Sequence, residues 1–276
     1  ENVLRGSLIP KPDNVFVSGE LAIGWYKDES CLDRWDFDTD KGTEDITLYA
    51  KWAQMSEGKF TIGEGRKVCF TRSNLWADGS NALHFETSPW DYKVSYDRNH
   101  VTHFTWSSSL SDAAGEGSSG DYLFCSKNHM VSVDGSDRLF YALSIEEWAY
   151  LLEKRAMYYV PFRYTTNITC GNQKGLVIYA DDYRGDRLVK DTDYEGNLPG
   201  NCIFLPGAGY RSGSEVRQVG NSAGFYWSSS VSYTPTETGI EIEPFSMNFG
   251  GYYDVDFSDN GDPHNGFSIR LVANVK

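Results

Sequence analysis

GFYWSSSVSY at 224–233 and NGFSIRLVANV at 265–275 decide how the chain is read. The first runs an aromatic cluster, Phe225-Tyr226-Trp227, into three serines; the second is a short apolar strand. Between them, Met247, Phe249, Gly251, Tyr253, Val255 and Phe257 alternate with Ser246, Asn248, Gly250, Tyr252, Asp254, Asp256 and Ser258. An extended strand sends alternate side chains to opposite faces. The odd set reads as core. The even set, continued by Asn260, Asp262 and His264, reads as solvent-facing. Tyrosine offers contact area at low entropic cost, and Asn and Ser offer adaptable hydrogen bonds. The candidate ligand-binding residues are therefore Asn248, Tyr252, Asp254, Asp256, Asn260, Asp262 and His264; the plain alternative is a solvated hairpin.

Working outward, LSIEEWAYLLEKRAM (143–157) predicts a helix near 145–156. Ser144 and Glu147 form a capping box, and Ile145, Trp148, Ala149 and Leu152 fall on one face as core. Phe60 and Ile62, then Val68 and Phe70, predict two strands round a Gly turn. DAAGEGSSGD (112–121) reads as a Gly/Ser loop. Short strands follow the helix, at GLVIYADD, NCIFLPGAGYR, GFYWSSS, GIEIE, FSMNF, YYDVDF and GFSIRLV. One helix followed by many strands predicts an α+β class. At the other end, LAIGWYKD and DITLYAKW read as strands joined by the turn-rich WDFDTDKGTED. AQMSEG (53–58) is a polar joint, so residues 1–54 form a small β module and 58–276 a second domain. So small a module has few means of stabilising itself, and it is expected to dock on its neighbour with Trp25, Phe37 and Trp52 at least partly buried.

The formal net charge of -14 argues against a nucleic-acid partner, which needs a basic surface. No apolar run reaches the length of a membrane span, so no membrane insertion is expected. Cys31, Cys69, Cys125, Cys170 and Cys202 form no C-x-x-C motif. They read as buried single thiols, with one long-range disulfide open to them. No catalytic residue is expected: G-x-S-x-G does not occur, and Ser228–Ser230 read as a turn whose hydroxyls serve local backbone groups. His100 and His103 lack an acidic partner at motif spacing and read as surface or satisfied polar packing. Asp256, Ser258, Asn260 and Gly261 sit where a calcium loop would begin, but Phe267 stands where its bidentate Glu is required. No metal and no cofactor are expected.

GWYKD (24–28), WDFDTD (35–40) and ITLYAKW (46–52) resemble the Listeria–Bacteroides repeat, a small β-grasp-like module of bacterial surface proteins. KVCFTRSNL (67–75), LSIEEWAYLL, GLVIYAD, FLPGAGYRSGSEV (204–216), YWSSSV and GFSIRLV resemble the Fibrobacter major paralogous group, which has a C-type-lectin-like fold. That fold is shared with formylglycine-generating enzymes and with the variable proteins of diversity-generating retroelements. The enzymes use a cysteine pair near the chain end, where this chain has none after Cys202. The variable proteins diversify the stretch that matches 246–264. Lectins of this fold bind calcium through Glu-Pro-Asn and Trp-Asn-Asp; here EPF stands at 243–245. The resemblance implies a non-catalytic extracellular protein at the bacterial cell surface, secreted or held as a lipoprotein. Its expected work is adhesion or recognition of a host or environmental protein or glycan. A structural part in a surface appendage or envelope assembly is the alternative, and a degenerate formylglycine-generating-type enzyme a third.

Overall fold

A computed structural model of the chain describes residues 3–274 except 14, 138, 155–163, 190–193, 195–197, 219–222, 238, 251–252 and 259–261. The side chains of 154, 167, 253, 254 and 258 are likewise outside the described residues. The chain is mainly β, which corrects the α+β expectation. Among the described residues the helices are Leu110–Ala114 and Ile145–Ala149, the latter running into a π-helical turn, Tyr150–Lys154. The capping box forms as expected: Ser144 Oγ accepts from Glu147 N (3.2 Å), and Glu147 Oε2 accepts from Ser144 N (3.0 Å). The helical run is described as far as Lys154; the last two positions of the expected helix, 155 and 156, lie outside the described residues. The π turn adds a residue to the turn and so rotates the buried stripe. Trp148, Leu151 and Leu152 go under, while Ile145 stays half-buried. Leu110–Ala114 occupies the beginning of what reads as a Gly/Ser loop.

The central sheet of the larger unit is ordered Phe140–Ala142, Leu271–Asn274, Arg66–Phe70, Phe60–Gly63, all antiparallel. Val272 pairs with both Phe70 and Tyr141, so the late strand is inserted between two early ones. Against this sheet packs a core of Phe60, Phe70, Trp148, Leu176, Leu205, Tyr226 and Met247. Gly224–Thr236, Gly239–Gly250 and Tyr253–Ser258 make one antiparallel sheet. The two quoted stretches lie side by side: Trp227 N donates to Ser268 O (3.1 Å), and Ser268 N to Phe225 O (3.0 Å). Trp227 is buried, its Nε1 donating to Phe104 O at 2.6 Å. The three serines are not a turn; they lie at a register shift between Trp227 and Val231. There Ser228 Oγ donates to Phe245 O, while Ser230 Oγ accepts from Ile145 N and donates to Glu146 Oε2, so the bulge also seats the helix start.

Arg270 lies wholly inside, 1% exposed. Its guanidinium donates to Asn74 Oδ1 (2.9 Å), Thr71 O (3.0 Å), Arg72 O (2.7 Å) and Phe204 O (2.9 Å). All four acceptors are neutral oxygens. Burial lowers its pKa to about 10, which leaves it charged at neutral pH. Arg211 is treated alike: it donates to the carbonyls of His103, Gly213 and Gly115 and lies over the Tyr96 ring at 4.8 Å.

In the first module Glu20–Tyr26 pairs with Phe16–Val17 on one side and Tyr49–Gln54 on the other. Trp25 and Phe37 are half-buried as expected. Trp52 is exposed, because its strand buries Ala53 instead, and Trp35 takes the interior place. The segment read as a polar joint is a seam: Ala53, Met55, Ser56 and Gly58 are buried. Met55 bridges Thr71, and Ser56 N donates to Phe70 O (2.7 Å). Leu21, Ile23, Ala53 and Met55 share one core with Leu75, Phe104, Trp106 and Trp227. The module thus docks on its neighbour by joining its core. Outside the core, Arg34 donates to Gly135 O (2.6 Å) and pairs with Asp137 (2.8 Å), which Lys11 also contacts.

A shared core predicts one cooperative unfolding transition for both parts. Met55→Ala should cost about 2–5 kcal/mol and lower that single transition; a module that melts separately in calorimetry would contradict it. Arg270→Met strands four acceptors, three of them buried, and should cost at least about 3 kcal/mol in urea unfolding.

Candidate functional site

The structure only partly assembles the residues chosen from the sequence. Asn248 and Asp256 face each other in register across neighbouring strands. Asp256 is exposed, but the Asn248 carbonyl oxygen is shut from solvent with no hydrogen-bond partner. Ser246, of the same parity, is buried, because this face of the sheet also carries Trp227 into a core. Asp254 belongs to Tyr253–Ser258, and its side chain lies outside the described residues. Tyr252 and Asn260 lie outside them altogether. Asp262 and His264 are exposed in a turn closed on itself, with Asp262 Oδ1 accepting from His264 N (3.0 Å). Of the odd set, Met247 and Phe249 are buried, and Val255 and Phe257 pack against their core, while Gly251 and the Tyr253 side chain lie outside the described residues.

A second place gathers more chemistry. Leu75–Asp78 and Leu83–Phe85 form a hairpin whose turn is held by Asp78. Its Oδ1 accepts from Ser80 N, Ser80 Oγ and Ala82 N, and these bonds lower its pKa to about 2. Asn81 takes the left-handed position there, φ 64°, which Asn tolerates well. Across the hairpin Trp76 faces His84. The indole lies between two imidazoles, 4.5 Å from His84 and 3.9 Å from His100. Each imidazole meets carboxylates: His84 with Asp134 (2.8 Å) and Asp78 (3.5 Å), His100 with Glu86 (2.7 Å). Asp134 sits at φ 53° in a tight turn, and its carbonyl accepts from Lys51 Nζ of the first module (2.7 Å).

This turn and hairpin form one wall of a cleft of about 910 Å³. The opposite wall is the loop Tyr122–Ser132. There Tyr122 and His129 stack at 3.7 Å, nearly parallel, and His129 Nδ1 is held by Ser126 Oγ at 2.9 Å. Asn81, Lys127, Asn128, His129 and Ser132 are exposed along its rim. The cleft therefore combines a flat aromatic pair with amide, ammonium and imidazole groups, the mix with which ligand sites orient polar molecules. None of these cleft residues is among the candidates chosen from the sequence. The signal available was the turn DGSN between WA and LHF; nothing local announces that Tyr122 will meet His129.

The remaining candidates resolve simply. All five cysteines are free thiols, four of them buried. Burial raises Cys69 to about 11 and Cys202 to about 12, and raises Cys125 as well. Among the described residues no group of three or more His, Cys, Asp or Glu is placed to hold a metal ion. His103 is buried and satisfied, between Thr102 Oγ1 and Ala208 O, both at 3.1 Å.

Residues 1–51 match the model of the Listeria-Bacteroides repeat domain. Two proteins of Evansella cellulosilytica match over the same order of length. One, named "Putative membrane protein", is 44% identical over 48 residues, 17% of this chain and 7% of the relative. The other, "Putative Gly-rich membrane protein", is 45% identical over 47 residues, 17% of this chain and 5% of the relative. The chain thus spans a small fraction of either relative's length. No solved structure matches with significance. None of these matches supports the lectin-like resemblance of residues 58–276. Among the described residues no helix is long and apolar enough to cross a membrane.

Desolvation lowers the His103 pKa from 6.5 to about 4. Between these values the unfolded chain binds the extra proton, so stability rises with pH across the window. It is fully present above 6.5 and lost as pH falls towards 4, by about 3 kcal/mol in all. Urea midpoints from pH 4 to 7 should show a shallower slope in His103→Gln than in the wild type.

Proposed function

We propose that the chain is the recognition part of a surface-associated bacterial protein, non-catalytic, holding its ligand in the cleft between the Leu75–Phe85 hairpin and the Tyr122–Ser132 loop. Surface association is supported by the repeat match at residues 1–51 and by relatives named as membrane proteins. The observation that carries the binding role is the cleft, where Tyr122 and His129 present a stacked aromatic pair beside Asn81, Lys127 and Asn128. The ligand class is a host or environmental glycan or protein. The cleft is favoured over the 246–264 face because Ser246 and the Asn248 oxygen are buried there.

The test is a glycan array and a host-protein pull-down with wild type, Tyr122→Ala, His129→Ala and Asp256→Ala, each with a thermal melt. The two cleft variants should lose about 2 kcal/mol or more of binding, as central aromatic contacts do, with Asp256→Ala unchanged. Loss confined to Asp256→Ala returns the site to the sheet face.

A structural part in an envelope assembly is the second reading. Leu4, Leu8, Val17 and Leu32 on the repeat are exposed, Leu4 and Leu32 by more than 80%. Exposed apolar side chains of this kind would be covered by neighbours in an assembly. Sedimentation of the purified chain checks it: concentration-dependent oligomers abolished by Leu4→Ser with Leu32→Ser support this reading.

A further inference from the structure

A smaller cleft of about 380 Å³ lies between the Phe60–Gly63/Arg66–Phe70 hairpin and Tyr141, and it shares Lys127 with the larger one. Across the two, the formally charged lining residues are Lys51, Lys59, Arg66, Lys67 and Lys127 against Asp134 alone. In a chain with 25 basic and 39 acidic residues this local reversal of sign is not what composition supplies. Some of the charge is matched from outside the lining: Arg66 pairs with Glu147, and Lys67 with Asp181 (3.4 Å). Lys127 is exposed, its ammonium 5.9 Å from the Tyr141 ring, a cation–π contact that orients it where the clefts meet.

We propose that the two clefts form one groove that binds an acidic polysaccharide, with sugar carboxylates at Lys127 and a pyranose ring against the Tyr122–His129 pair. This rests on the recognition reading above and specifies its ligand class. A lining with an excess of one sign focuses the field in a cleft and draws in the opposite charge. The flat aromatic pair suits the C–H face of a sugar ring. A duplex nucleic acid is a poorer occupant. Its charge density is far greater, and the groove is set in a molecule of net charge -14.

The probe is polygalacturonate, with neutral dextran and a DNA duplex beside it, titrated by calorimetry at low and at physiological salt. Polygalacturonate should bind, and more weakly as salt rises; dextran should not. Lys127→Gln should weaken binding about tenfold or more, and Lys127→Arg should restore it. Because Lys127 is exposed, both variants should melt with the wild type. Equal binding of polygalacturonate by wild type and Lys127→Gln overturns the proposal, as does DNA competing with equal affinity. Neutral glycans that bind, weaken with Tyr122→Ala and ignore Lys127→Gln also overturn it, while leaving the recognition reading intact. Binding that ignores both variants sinks the two together.

Discussion

One buried cation fixes the geometry of the larger unit. The Arg270 guanidinium reaches oxygens on residues 71, 72, 74 and 204, segments that are far apart in sequence. Nearby, Tyr226 donates to Pro206 O (3.0 Å) and accepts from Asn74 Nδ2 (3.2 Å). Carbonyls that leave strand pairing must be satisfied somewhere. Here a single planar donor group collects them, a task for which its weak hydration and fixed fork suit arginine better than lysine. The crossing of the chain from Arg66–Phe70 into Leu75–Asp78, and the place of the Cys202–Pro206 strand, follow from where those donors point. Arg211 does the same for the loops around His103 and Gly115.

That arrangement places the cleft. The hairpin carrying Trp76 and His84 leaves the Arg270 anchor at Asn74, and the repeat closes over the same core through Ala53 and Met55. Lys51 then reaches the turn at Asp134, and Arg34 the next residue. The cleft wall is thus built jointly, and the repeat is a structural part of it rather than a tethered neighbour.

What could be read in the sequence was what repeats locally. Alternation gave the strands at 60–70 and the two faces of 245–257, and the Ser144/Glu147 pair gave a helix start. The strands at 83–85, 100–101 and 215–217 are too short to show a period, which is why the share of strand was under-read and the class taken as α+β. Parity was sound but burial was not: Ser246 is of the polar set and yet lies under a second core, which no single-strand pattern reports. Equally, AQMSEG reads as polar, but its Ala53 and Met55 face inward because another strand runs alongside. The cleft depends on His84 standing across from the Tyr122–His129 pair, dozens of residues further along the chain, and that is set by tertiary packing alone.

The insertion of Leu271–Asn274 beside Arg66–Phe70 has a consequence for how the protein is made. Val272 leaves the ribosome about two hundred residues after Phe70, its partner, a delay of roughly ten to forty seconds at ordinary rates of synthesis. Through that interval the Arg66–Phe70 strand has one edge open, and Arg270, which fills the interior beside it, does not yet exist. An open edge is a template for pairing with other chains. The nascent protein therefore passes its longest vulnerable period with its central sheet incomplete, so a holding chaperone should matter more to its yield than any catalyst of folding.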